Sequence, residues 1–305
     1  MAGISKVIIN TDPGIDDAMA IVYGLRSRSL AIRAIVASYG NVSVSEATRN
    51  VCKILTLADA RPWPIIGKGM NGPCGRRGRA PAGKINGKDG LGDIGISRST
   101  VPRNIYDGPG LIKDYITSGT IDAILSLGPL TNIASALSRV PRAQQMLSKI
   151  VMMAGALEAP GSITRYAETN AYCDPEALSA VLRSKIPIVM VGLDATRSVT
   201  IREGDLSAFD RSTGRIPRAA ASMMRSYMRA NERYRGDRCA YLHDVICVAV
   251  AENEVKCRFE KIRVVVERAG KRGRLVQRAG KPNVRFLRSI DAFQFKKTFT
   301  ERLCA

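Results

Sequence analysis

The chain has 305 residues, 45% of them apolar, enough to bury the core of one large α/β domain or two small ones. No stretch approaches the roughly 20 apolar residues of a membrane-spanning helix, and the opening MAGISKVIINTDPG has no apolar run of signal-peptide length, so a cytoplasmic protein without a membrane partner is expected. Seven cysteines without a CxxC pair and a lone histidine, His243, argue against a disulfide framework and a zinc site, whereas 47 Lys+Arg against 27 Asp+Glu, a net +20, should attract anions.

In chain order, the first unit reads strand, acidic turn, helix: VIIN is a β-branched run, TDPGIDD a turn, and DAMAIVYGL has helical apolar spacing. A strand at 32–38 and a helix in VSEATRNVCKILTLA follow, then strands at 121–127, 149–155 and 186–193, with a helix in DPEALSAVLRS. This alternation predicts an α/β fold with a mostly parallel, Rossmann-like central sheet and helices on both faces. Segments 67–104, 155–173 and about 194–215 break the rhythm and read as long loops, which in a compact domain usually carry function. After a helix at 244–251, the runs RVVVER, RLVQR and NVRFL with basic turns predict C-terminal β-hairpins. No repeat or linker divides the chain, so 1–305 is read as a single domain.

The sharpest local signal is Asn10-Thr11-Asp12-Pro13-Gly14-Ile15-Asp16-Asp17-Ala18, three carboxylates on one turn between a strand and a helix. Ligands of open α/β sheets bind at such strand ends, and clustered carboxylates need a cation or hydrogen-bond donors; hard oxygen ligands suit Ca²⁺ or Mg²⁺. The plainer reading is a capped helix start, which accounts for one Asp easily but not for three beside Pro-Gly. Leu242-His243-Asp244 puts another carboxylate and the lone imidazole at a helix entrance, again open to a capping explanation. Leu127-Gly128-Pro129-Leu130-Thr131-Asn132 is by itself a turn after a strand.

Together DPGIDDA, GNVS at 40–43, GKDGLG at 87–92, LGPLTNIA at 127–134, AETNAYCDPEA at 167–177 and LHD at 242–244 closely resemble the nucleoside hydrolases in order and approximate spacing, and the resemblance continues through GKPNVRF. It implies a nucleoside hydrolase-like fold and hydrolysis of the N-glycosidic bond of a ribonucleoside to ribose and free base. It further implies a Ca²⁺ held by Asp12, Asp17, Asp244 and the backbone carbonyl of Leu127. Asp12 would be the general base that takes a proton from the attacking water. Asp16, Asn41, Glu168 and Asn170 would bind the sugar hydroxyls, and His243, with a near-neutral pKa, would assist the departing base. A homodimer or homotetramer is implied as well. Departures from the family pattern are Ser162 in Gly161-Ser162-Ile163-Thr164, where Asn is common and the 5′ end of the sugar is contacted, Asn86 where His often precedes GKDGLG, and Asn10 where Asp is common.

Two segments resembling the family's active-site loops are basic: Lys68, Arg76, Arg77, Arg79 and Lys84 in one, Arg225, Arg229, Arg233, Arg235 and Arg238 around the other, with Tyr227 and Tyr234 available to stack on a nucleobase. These cations suggest a phosphorylated or modified nucleoside as an alternative substrate. Residues 256–305 hold 15 Lys/Arg against 4 Asp/Glu, which admits a nucleic-acid surface or a solvated basic face. A ribonucleoside-binding protein without turnover is the rival from another class; the complete Asp12, Asp17 and Asp244 set argues against it.

Overall fold

The structure is a computed structural model and describes residues 3–73, 85–96 and 99–305. In chain order its elements are β1 (Ser5–Thr11), α1 (Ile15–Leu25), β2 (Leu30–Ala37), α2 (Val44–Leu57), β3 (Ile65–Lys68), β4 (Tyr106–Asp107), α3 (Gly108–Thr117), β5 (Ala123–Ser126), α4 (Thr131–Leu137) and β6 (Lys149–Met153). There follow α5 (Thr169–Cys173), α6 (Pro175–Leu182), β7 (Ile188–Val191), α7 (Leu193–Thr196), β8 (Thr200–Ile201), α8 (Ser207–Arg211) and α9 (Arg215–Arg235). The chain closes with β9 (Ala240–Tyr241), α10 (His243–Glu252), β10 (Cys257–Val266), β11 (Leu275–Arg278), β12 (Val284–Ile290) and α11 (Ala292–Cys304).

The apolar runs that predict strands are buried on both faces, as in β5 and β7, where every residue is inside. They join in one ten-stranded sheet of order β11-β10-β12-β7-β6-β5-β1-β2-β3-β4, parallel from β12 to β4. One apolar layer packs α1, α2, α9, α10 and α11 on one face, through Ile21, Val51, Met224, Val248 and Phe299. The other packs α3, α4 and α6, through Ile112, Ile133 and Leu178. Helices thus cover both faces, as the alternation predicts.

The topology also locates the site. From β1 the chain winds outward through β2, β3 and β4, then returns to the other side of β1 with β5 and winds the opposite way. The β1/β5 boundary is therefore the point where strand order reverses, and its carboxyl end is a crevice.

The C-terminal runs pair antiparallel as expected, β10 with β11 and β10 with β12, and β12 also pairs parallel with β7, so they extend the central sheet. Two features differ from the sequence reading. The segment 194–215 is not a loop throughout, because it contains α7, β8 and α8. The long helix α9 has no counterpart in the sequence reading, yet Ile216, Ala220, Met224, Tyr227, Met228 and Asn231 are buried along it at helical spacing. Its many arginines lowered its apparent hydrophobicity without breaking that stripe.

Candidate active site

Asp12 leaves β1 at the reversal point and is wedged there. Its Oδ2 accepts from the Asn41 backbone N–H at 2.5 Å, while its Oδ1 is buried without a hydrogen-bond partner. Two glycines make room for it: a Cβ at Gly40 would stand 1.9 Å from Oδ2, and one at Gly128 would stand 2.4 Å from Oδ1. Asp17, in the first turn of α1, accepts from the Thr11 hydroxyl at 2.5 Å, from the Gly14 N–H at 3.0 Å and from the Asn41 amide at 3.1 Å. Asp16, Asp17 and Asp244, the last from the start of α10, each offer a carboxylate oxygen, all within 4.8 Å of one another and all buried. Asp244 thus joins the acidic turn from 227 residues away, as the resemblance implies; Asp16, expected on the sugar, stands in this oxygen group too.

Burial raises the Asp12 carboxyl well above its ordinary range, with the neighbouring Asp17 charge adding to the rise and the Asn41 N–H opposing it. Asp16 is raised to about 7 by burial and by Asp17, and Asp244 is raised by burial and by Asp16, Asp17 and Asp12. No cationic side chain closes an ion pair with these carboxyls among the described residues. Three buried oxygens this close fit a hard divalent cation; Asp12, whose Oδ1 lacks a donor, is not one of the three but is near enough for the charges of Asp17 and Asp16 to raise it.

On the β5 side, Asn10 holds the turn after Ser126: its Nδ2 donates to Ser126 Oγ at 3.2 Å and to the Pro129 carbonyl at 3.1 Å, and its Oδ1 accepts from Asn132 at 2.9 Å. The Leu127 carbonyl accepts from the Asn170 amide at 2.6 Å, which also donates to the Met153 carbonyl at 3.0 Å. Glu168 is fixed at the start of α5 by backbone N–H groups of Gly155, Asn170 and Ala171 at 2.9, 2.8 and 3.0 Å. These bonds only partly offset burial, which raises its pKa.

Above this floor lies a cavity of about 490 Å³ lined by Asp16, Asn41, Asn86, Leu127, Ser162, Glu168, Asn170, Tyr227, Tyr234, His243 and Asp244, so the sequence-predicted residues converge on one chamber. Asp12 and Asp17 are not among its lining residues, but both are hydrogen-bonded to Asn41, which is. Asn86 accepts from the Ile15 N–H at 3.1 Å and donates to Asn41 at 3.0 Å, joining the segment before GKDGLG to the acidic turn. Ser162 exchanges a hydrogen bond with the Thr169 hydroxyl at 2.9 Å and accepts from the Thr169 N–H, which ties its loop to α5. Tyr227 is buried, and Tyr234 stands at the mouth with 47% of its surface exposed.

His243 corrects one expectation. Burial, together with the charges of Arg197 and Arg235, pushes its pKa down to about 3 rather than leaving it near neutrality. Its Nδ1 lies 2.7 Å from Thr196 Oγ1, whose own proton goes to the Gly192 carbonyl at 3.2 Å. Nδ1 is therefore the protonated nitrogen and Nε2 the acceptor. Tyr241 stacks on the ring at 5.2 Å.

The basic loops are also partly corrected. Arg225 is held by Asp210 and Glu203, and Arg238 by Glu232, so neither is a free cation at the mouth. Arg235 lines the cavity, while Arg229 and Arg233 are exposed without lining it. Lys68 is exposed at the end of β3, and Arg76, Arg77, Arg79 and Lys84 lie outside the described residues.

The sequence reading missed the residues that shape the loop after β6. Asp194 accepts from the backbone N–H groups of Leu157, Glu158 and Ala159 at 2.9, 2.7 and 3.1 Å, and Arg197 donates to the Pro160 and Gly161 carbonyls at 2.7 and 2.8 Å. The signal was available: Asp194 directly follows an apolar strand, as Asp12 does.

The sequence profile of the inosine-uridine preferring nucleoside hydrolase family matches residues 7–297. The chain is 33% identical to the pyrimidine-specific ribonucleoside hydrolase RihA of Salmonella typhimurium, covering 97% of each chain. It is 31% identical to uridine nucleosidase 1 of Arabidopsis thaliana over 87% of this chain and 79% of that one. Among solved structures it matches a plant nucleoside hydrolase with a TM-score of 0.92 at 28% identity over 99% of both chains. It also matches a purine-preferring ribonucleoside hydrolase from Gardnerella vaginalis, with a TM-score of 0.90 at 27% identity over 98% of both.

Proposed function

The chain belongs to the inosine-uridine preferring nucleoside hydrolase family and is a nucleosidase acting on ribonucleosides, and from that premise we propose that it cleaves the N-glycosidic bond by attack of a water on the anomeric carbon, with Asp12 as general base and Ca²⁺ as cofactor. The observation that carries this reading is the buried, unpartnered Oδ1 of Asp12 at the strand-order reversal, within electrostatic reach of the Asp16, Asp17 and Asp244 oxygen group.

Asp12, Asp17, Asp244 and the Leu127 carbonyl would hold the ion; when bound, it supplies Lewis acidity that makes a water easier to deprotonate. Asp12 takes the water's proton on its free oxygen, and the Asn41 N–H keeps that carboxylate from rotating away. As the bond to the base breaks, positive charge develops on the ribose, and the carboxylates of Asp16 and Glu168 are placed to stabilise it. Asn41 and Asn170 fix the sugar hydroxyls, and Ser162 and Asn86 border the same chamber. Tyr227 and Tyr234 provide aromatic surface for the base. His243 meets the base as a neutral imidazole whose Nε2 accepts a hydrogen bond, an orienting role in place of the expected acid, and the departing base takes its proton from solvent. No free cation but Arg235 reaches the chamber among the described residues, so the unphosphorylated nucleoside is preferred over the nucleotide. A homodimer or homotetramer belongs to the same reading, with exposed Tyr106 on edge strand β4 as apolar surface for it; sedimentation velocity measures it.

The test is release of free base from purine and pyrimidine ribonucleosides and their 5′-monophosphates, with Ca²⁺ and with chelator, for the wild type and Asp12→Ala. Calcium-dependent release from nucleosides, lost in the variant, is expected. Undiminished turnover by Asp12→Ala or in chelator would overturn the assigned roles.

A further inference from the structure

The basic C-terminal residues play no part in the chamber, yet the sheet register sorts them. Lys261 of β10 stands directly opposite Arg285 of β12, and Arg263 of β10 directly opposite Arg278 of β11. Residues two apart on a strand share a face, as do directly opposed residues, so these four cations form one row in the order Arg278, Arg263, Lys261, Arg285. The intervening Ile262 and Val264 point to the other face, buried in the layer of α3, α4 and α6. All four cations are exposed. Among the described residues none of them is in an ion pair, whereas Arg288 nearby is saturated by Glu158 and Glu260. The Arg285 guanidinium rests 4.6 Å from the centre of the Phe259 ring, and Arg263 donates to the Ala279 carbonyl at 3.4 Å; neither contact neutralises charge. The field reaches Lys149, whose pKa is lowered by burial and then by Arg285, with Asp122 opposing.

Like charges placed directly opposite each other destabilise a sheet, and two such pairs in succession are not needed for folding. With a strand rise of about 3.4 Å per residue and a strand separation of about 4.8 Å, the row is a zigzag spanning roughly 12 Å end to end, with successive cations about 5 to 7 Å apart. We propose that this row is a docking surface for the sugar–phosphate backbone of a single-stranded nucleic acid. A single strand presents one row of phosphates; a duplex presents two across a groove, and a lipid surface calls for a broad patch. Phe259 lies under Arg285, and no exposed aromatic side chain stands in the row, so contacts are to phosphates and independent of base sequence.

The experiment measures anisotropy of a fluorescein-labelled 15-mer oligouridylate titrated with the full chain between 50 and 200 mM salt. With four phosphates neutralised, the slope of log K against log salt is about −0.7 per contact, or roughly −2.8 in all, a loss of roughly 50-fold over that range. Lys261→Gln/Arg263→Gln/Arg278→Gln/Arg285→Gln should abolish the slope while keeping the melting temperature and nucleosidase activity. Neutralising four other exposed arginines, Arg211→Gln/Arg215→Gln/Arg218→Gln/Arg229→Gln, should leave binding within threefold of wild type, and an oligothymidylate should bind equally well. Equal loss in the two variants would reduce the effect to overall charge and overturn the proposal. Tighter binding of a duplex, polyglutamate or anionic vesicles than of the 15-mer would overturn it too.

Discussion

Adding one methyl group at Gly128 tests whether the position of Asp12 controls turnover. Gly128 does not occupy the left-handed region, so alanine there carries no backbone strain of its own. Its Cβ would meet Asp12 Oδ1 at 2.4 Å, where ordinary contact begins at 3.4 Å, so the carboxylate must move by about 1 Å. It cannot move toward Gly40, whose backbone leaves no room on the Oδ2 side, without breaking the 2.5 Å bond from Asn41. A misplacement of about 1 Å in a catalytic group costs on the order of 10²-fold in rate, equivalent to about 2.7 kcal/mol of barrier. Overpacking should cost about 1–3 kcal/mol of stability. Steady-state release of free base should therefore show kcat reduced roughly 100-fold with KM little changed, in a protein that still melts cooperatively. A Gly128→Ala enzyme with kcat within threefold of wild type would refute the placement of Asp12 as base.

Calcium at 100 times its Kd should stabilise the fold by about 2.7 kcal/mol, seen as a higher melting temperature that chelator reverses; absence of any shift would remove the ion from the proposed Asp12, Asp17 and Asp244 ligands. In chelator, Asp12, Asp16 and Asp244 have raised folded pKa values, so the folded state binds more protons than the unfolded one above the ordinary 3.8. Stability should then fall as pH rises through the value of about 7 at Asp16. His243, shifted the opposite way, costs stability only below its ordinary 6.5, so melting curves between pH 6.5 and 8 isolate the carboxyls. A metal-free protein that melts higher at pH 8 than at 6.5 would contradict the buried cluster. Asp194→Ala leaves three backbone N–H groups of the 157–159 loop unpaired; kcat/KM should drop about tenfold, mainly through KM, while Asp210→Ala on the outer surface leaves it unchanged.

The strand–helix alternation and the acidic turn were legible because both are local: apolar runs at 7–10, 121–127, 149–155 and 186–193 became β1, β5, β6 and β7. The assembly of Asp244 with the turn was legible only through the family resemblance, since nothing in LHD distinguishes a ligand from a helix cap. The antiparallel pairing of the C-terminal runs was legible, but their attachment to the sheet was not, because β12 meets β7 in parallel across about 100 residues and neither segment records its neighbour. The neutral His243 was hidden for a related reason. Its pKa is lowered by burial and then by Arg197 and Arg235, which come from other segments, and its Nδ1 meets a hydroxyl on Thr196, none of them marked by spacing.

The buried carboxyls conflict with the rest of the fold's logic. Burial raises Asp12, Asp16 and Asp244, so near neutral pH the metal-free chain must either hold protons there or bear uncompensated charge. Meanwhile the molecule carries a net +20, yet among the described residues no cation forms an ion pair with these groups. A fold selected for stability alone would place one of its 47 cations beside Asp12. Instead it flanks that carboxylate with two glycines and leaves Oδ1 without a donor. Such an arrangement suits a ligand that brings its own positive charge, as a metal ion does and as a ribose does when it loses its base.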